Sequence, residues 1–83
     1  MVSVTITRQA AANLDDLPLV IHCRVLALLE RLEKWPVVSG VKPLSGALAG
    51  HYRLRTGDYR LQFHLEGQTI VVEKIGHRDG FYE

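Results

Sequence analysis

Eighty-three residues, 47% of them hydrophobic, suffice for one domain and exclude a second unit with its own core, so residues 1–83 are expected to fold as a single domain. A formal charge of +1 gives no overall bias toward polyanions, and the single cysteine, Cys23, excludes an internal disulfide or a thiolate metal cluster. The opening residues carry neither a basic leader nor a long apolar run, and no stretch approaches the ~20 apolar residues of a membrane span, so a cytoplasmic protein with no membrane contact is expected.

In chain order, Val2, Val4 and Ile6 alternate with Ser3, Thr5 and Thr7, the period-two pattern of a strand with one buried face, predicted over residues 2–7. Thr7 is placed to N-cap a short helix running from Arg8 through Leu14, before Pro18. Between residues 19 and 34, Ile21, Val25, Leu28, Leu29 and Leu32 fall on one stripe of an amphipathic helix, completing a helical hairpin. Trp35-Pro36 ends that helix, because a proline cannot continue the hydrogen-bond ladder. Residues 37–50 contain Gly40, Pro43, Gly46 and Gly50 and are expected to be a connecting loop with room for one helical turn.

Residues 51–56, 59–66 and 69–76 are rich in β-formers and are separated by short glycine turns at Gly57 and Gly67, which predicts a three-stranded antiparallel meander. The fold class is therefore α+β: an N-terminal strand, a helical hairpin, then a meander that completes one sheet. Tyr52 and Leu54 share one face of their strand, and Tyr59, Leu61, Phe63 and Leu65 share one face of the next, so an apolar face is available to the helices. The last strand is apolar in a run, Ile70-Val71-Val72, which suggests a central strand covered on both faces.

The opposite face of the meander gathers Arg53, Arg55 and Arg60, with Asp58, Gln62 and His64 alongside, and the chain then delivers His77-Arg78 and Phe81-Tyr82 to the rim of the sheet. A guanidinium is always protonated and presents a planar fork matched to phosphate oxygens, so converging arginines suit an anionic substrate. An aromatic ring such as Phe81 or Tyr82 can stack on an exposed base, and phosphate plus base is the footprint of a nucleotide. The alternative is plain solvation, since exposed sheet faces are normally charged, and the arginines can also pair across the strands with Asp58, Glu66 or Glu73. His51 and His64 fit ordinary cross-strand positions, and His22 and Cys23 fit a helix. No histidine–carboxylate spacing matches a metal motif, so no metal and no cofactor is expected.

The segment Leu44-Ser45-Gly46 to Gly50-His51-Tyr52-Arg53-Leu54-Arg55-Thr56-Gly57-Asp58-Tyr59-Arg60-Leu61, followed by Ile75-Gly76-His77-Arg78 and Phe81-Tyr82, resembles the RelE/ParE superfamily of toxins from toxin–antitoxin systems. The combined pattern spans the last forty or so residues, and the strand–helix–helix start follows the family's order. The resemblance implies a toxin of a type II system held by a cognate antitoxin. In the RelE-like branch it implies a metal-independent endoribonuclease acting on mRNA at the ribosome, and in the ParE-like branch an inhibitor of DNA gyrase. It places the family's catalytic basic pair on Arg53 and Arg55, its phosphate-binding arginine on Arg60, its C-terminal arginine on Arg78 and its terminal tyrosine on Tyr82, with Phe81 beside the RNA. The well-described branch has lysines where this chain has Arg53 and Arg55, and arginine does not shed its proton to act as a base. His77, the nearby group that titrates close to neutrality, is then the candidate acid–base residue.

Overall fold

Residues 2–81 are described by the computed structural model. Alternation of Val4 and Ile6 with Ser3 and Thr5 produces β1 (Ser3–Ile6). The hydroxyl of Thr7 accepts the Ala10 N–H and caps α1 (Arg8–Asp15), while its own O–H donates to the Glu73 carbonyl. One side chain thus starts the helix and fastens it to the sheet. The apolar stripe of α2 (Leu19–Leu32) buries Val25, Leu28 and Leu32, with Ile21 and Leu29 partly buried beside them. That helix stops ahead of Pro36, which lacks the N–H needed to reach the Leu32 carbonyl; the Trp35 N–H takes that carbonyl at 3.0 Å instead.

The sheet has five strands in the order β1-β5-β4-β3-β2, one more than expected. The addition is β2 (Lys42–Pro43), a two-residue edge strand paired with Arg53 and Tyr52 of β3 (His51–Thr56). A proline in that position forfeits a ladder N–H, which an edge strand tolerates. The meander continues through β4 (Tyr59–Glu66) and β5 (Thr69–His77), and β1 lies parallel against β5. Both hairpins turn on two residues, with Gly57 at φ 58° and Gly67 at φ 61° in the first position, a backbone that only glycine adopts without strain.

Both helices lie against one face of the sheet. Leu54, Leu61, Phe63, Ile70, Val72 and Ile75 are buried there with Ala10, Leu14 and the α2 stripe. Trp35, Tyr52 and Phe63 close that layer as an aromatic cluster with ring centroids 5.3–5.6 Å apart. β5 is an interior strand, between β1 and β4, rather than the middle one, and the helices cover only one of its faces instead of the two that its apolar run suggested; Val71 is half-buried on the other. Its ladder with β4 passes from Gln62↔Lys74 to Phe63↔Val72, leaving Glu73 as an extra residue. This bulge changes the phase of the strand, so Ile75 joins Ile70 and Val72 in the core. Beyond the end of β1 the exposed edge of β5 is met by α1, where Asn13 Oδ1 accepts the Ile75 N–H at 3.1 Å.

Candidate functional site

The helix-free face of the sheet is organised in cross-strand rows, because residues in register share a face. One row is Arg55–Arg60–Gly76, the next Arg53–Gln62–Lys74, and the third joins His51 to His64. Arg55 and Arg60 stand directly opposite one another, an arrangement in which like charges repel. The carboxylates able to relieve them are engaged elsewhere. Asp58 lies 3.8 Å from the Arg78 Nε, Glu66 lies against His64, and Glu73 lies against His51 and His64. Among the described residues, neither Arg53, Arg55 nor Arg60 has an ion-pair partner, so the cross-strand pairing is not formed, while simple solvation of the face is untouched by this.

Gly76 stands beside Arg60 at the end of this row, and the room left by its missing side chain is taken by an aromatic ring. Phe81 folds back after the turn Arg78–Gly80 and packs over Gly76, its Cδ1 3.5 Å from where a Cβ would stand. The ring is buried, and Lys74 Nζ sits 4.6 Å from its centroid while donating to the Phe81 carbonyl. Phe81, expected to stack on a base, is therefore used here as a floor beneath Lys74. Gln62 is buried between Arg53 and Lys74, and its Oε1 meets no donor among the described residues. An unmet buried acceptor set among cations is costly for folding and is available to a hydroxyl donor.

Arg78 lies at the same end of the sheet as Arg55 and Arg60. Its backbone N–H donates to the Asp58 carbonyl at 2.8 Å, and its side chain is 57% exposed. His77 is in register with Tyr59, so it emerges on the face opposite Arg60, with its ring edge-on to Tyr59 at 5.2 Å. Its Nδ1 accepts the Asp79 N–H, and the ring remains 41% exposed. His77 shares a cleft of about 320 Å³ with Gln9, Asn13, Lys74, Gly76 and Phe81, which wraps round the edge of β5. The structure thus groups Arg53, Arg55 and Arg60 on one face and Arg78 at its end, with His77 round the strand edge. Tyr82 lies outside the described residues.

The other end of this face holds a cluster that sequence spacing conceals. His51 Nδ1 donates to Glu73 Oε1 at 2.5 Å, His64 Nδ1 lies 3.3 Å from the same oxygen, and His64 Nε2 lies 3.3 Å from Glu66 Oε1. Burial pulls the His64 pKa down, but the close carboxylates of Glu66 and Glu73 outweigh it and leave the value raised. Burial likewise pushes Glu73 up, and the two histidines more than offset it, holding the carboxyl below its usual range. Residues 51, 64 and 73 meet only through register and the bulge; the signal that finds them is strand pairing. Lys74 was missed for the same reason.

Over residues 4–80 the chain matches the family described as ParE toxin of type II toxin-antitoxin system, parDE. Comparison with curated proteins finds no match. Among solved structures, the toxin–antitoxin complex RelBE2 from Mycobacterium tuberculosis is 31% identical over 93% of this chain and 98% of that chain, with a TM-score of 0.82. The archaeal RelE–RelB complex from Pyrococcus horikoshii is 29% identical over 95% and 97%, with a TM-score of 0.77. The isolated Escherichia coli RelE toxin, at 14% identity, shares the fold over 93% and 84%, with a TM-score of 0.77. The chain belongs to the ParE toxin family, within the RelE/ParE superfamily of toxins from type II toxin–antitoxin systems.

Proposed function

We propose that this toxin cuts mRNA on translating ribosomes and is held inactive by a cognate antitoxin. The observation that carries the proposal is the Arg55–Arg60 pair, set face to face with no carboxylate partner among the described residues. Such a pair is unfavourable in the free protein and favourable once a phosphodiester lies between the two guanidinium groups. Arg53 extends the cationic strip along the RNA backbone, and Arg78 guards its end.

The reaction is transesterification. The RNA 2′-oxygen attacks the adjacent phosphorus in line, the bond to the 5′-oxygen breaks, and the products are a 2′,3′-cyclic phosphate and a free 5′-hydroxyl. The 2′-hydroxyl proton is taken up and one is returned to the leaving oxygen. Fixed guanidinium groups hold the phosphate and offset its growing charge, and no protein-bound metal is required for either. His77 carries the proton, approaching round the edge of β5 through the cleft it shares with Gly76, and Tyr82 steadies the base.

The relatives from Mycobacterium tuberculosis and Pyrococcus horikoshii are complexes of toxin with antitoxin. By analogy, an acidic or amphipathic segment of a partner covers the basic face or the helical hairpin of this chain. A second reading, inhibition of DNA gyrase without RNA cleavage, is favoured by the family match itself, which is described as ParE. Purified chain added to mRNA-programmed ribosomes, and separately to gyrase with supercoiled DNA, distinguishes them. The nuclease reading expects cut mRNA, with Arg60→Ala slower by about 100- to 1,000-fold, the usual cost of one lost charge-stabilising donor. Intact mRNA together with inhibited gyrase replaces it with the second reading.

A further inference from the structure

We propose that His51, His64 and Glu73 form a binding site for a divalent transition-metal ion of the zinc class, with Glu66 orienting His64. The three side chains come from three adjacent strands, and one ligating atom from each lies within 4.8 Å of the others. Tetrahedral coordination at ~2.0–2.1 Å sets neighbouring ligand atoms ~3.3–3.5 Å apart. His64 Nδ1 already lies 3.3 Å from Glu73 Oε1, and the 2.5 Å contact of His51 has only to open by less than an ångström.

Two features go beyond proximity. His64 Nδ1 is shielded from solvent yet makes no hydrogen bond among the described residues, since its approach to Glu73 is too oblique. A buried ring nitrogen aimed at a carboxylate without bonding it keeps its lone pair available for coordination. Meanwhile His64 Nε2 faces Glu66, the carboxylate–histidine contact that fixes ring orientation in metal sites. The sheet sets their placement: His51 and His64 are directly in register, and Glu73, the extra residue of the bulge, reaches both.

Two imidazoles with one carboxylate suit zinc, nickel or cobalt, whereas calcium and magnesium favour oxygen donors throughout. Three protein ligands leave a fourth position for water. A bound ion would join β3, β4 and β5 at the end of the sheet away from the Arg55–Arg60 row.

The test is zinc titration of the chelator-stripped full chain, followed by calorimetry and thermal melting without RNA or antitoxin. One ion per chain and a rise in Tm are expected. Glu73→Gln and His64→Gln should each abolish binding, and Glu66→Gln should weaken it ~10- to 100-fold, as loss of an orienting contact does. His22→Gln and Cys23→Ser should bind as the parent does. Circular dichroism checks the fold of each variant, and cobalt gives a readout on the unaltered chain. Intense tetrahedral d–d bands from nitrogen and oxygen ligands support the site. A thiolate charge-transfer band, the pale spectrum of hydrated cobalt, or zinc retained by folded His51→Gln/His64→Gln/Glu73→Gln each overturns it.

Discussion

Arg55 and Arg60 oppose each other across β3 and β4 while every nearby carboxylate among the described residues is engaged with another group. If that pair is kept for substrate, relieving it should stabilise the protein and disable it together. Arg55→Glu creates an attractive cross-strand pair with Arg60, expected to add ~0.2–1 kcal/mol, read by urea unfolding, and to eliminate mRNA cutting. A stabilised variant that still cuts at the parental rate would show that the repulsion serves nothing. His77 gives the complementary case. With its ring exposed beside Tyr59, His77→Gln should leave Tm unchanged and lower the cleavage rate by ~100- to 10,000-fold, the range for loss of a general acid or base. The His51–Glu73–His64 cluster has its own pH signature. The raised pKa of His64 means its contribution is complete below its unfolded value near 6.5 and fades as pH rises through the folded value. The lowered pKa of Glu73 means its contribution is complete above its unfolded value of 4.5 and fades as pH falls. In the presence of chelator, the Tm advantage of the parent over Glu73→Gln should therefore be greatest between about pH 4.5 and 6.5 and shrink on either side; a flat difference contradicts the assignment.

At the scale of elements, the fold was largely legible because its signals are local. Alternation placed β1, β3 and β4 close to their observed limits, glycine at Gly57 and Gly67 fixed both hairpins, and the Thr7 cap and the Val25–Leu32 stripe located the helices. Two features escaped, for physical reasons. Lys42–Pro43 forms a strand only because β3 offers an edge to pair with, so two residues with poor β propensity carry no local signal. The Glu73 bulge changes the face of each residue after it, and strict alternation would have sent Ile75 outward; the histidine cluster was hidden because it depends on strand register. The arginine row was legible as a composition of strand faces. That it lacks carboxylate partners was not, since pairing depends on register. Thr7 joins α1 to that bulge, accepting from Ala10 and donating to the Glu73 carbonyl. Thr7→Ala should cost ~1–2 kcal/mol by urea unfolding, more than Thr7→Ser, which keeps the hydroxyl.

For the molecule as a whole, one layer of helices on one sheet face leaves the other face available, and the cationic strip lies there. A single core of this size supplies only ~3–5 kcal/mol, and Phe63→Ala alone should remove about as much, so that variant is expected to be unfolded by circular dichroism at 25 °C. No helix among the described residues is long and apolar enough to cross a membrane. The central claim is that guanidinium groups on neighbouring strands hold an RNA phosphate for cleavage. Primer extension on cellular mRNA after induction of the chain tests it most directly, alongside Arg55→Ala/Arg60→Ala. The account predicts new 5′-hydroxyl ends within translated codons for the parent and none for the variant. Intact mRNA with double-strand breaks in DNA, or equal cleavage by both proteins, would contradict it.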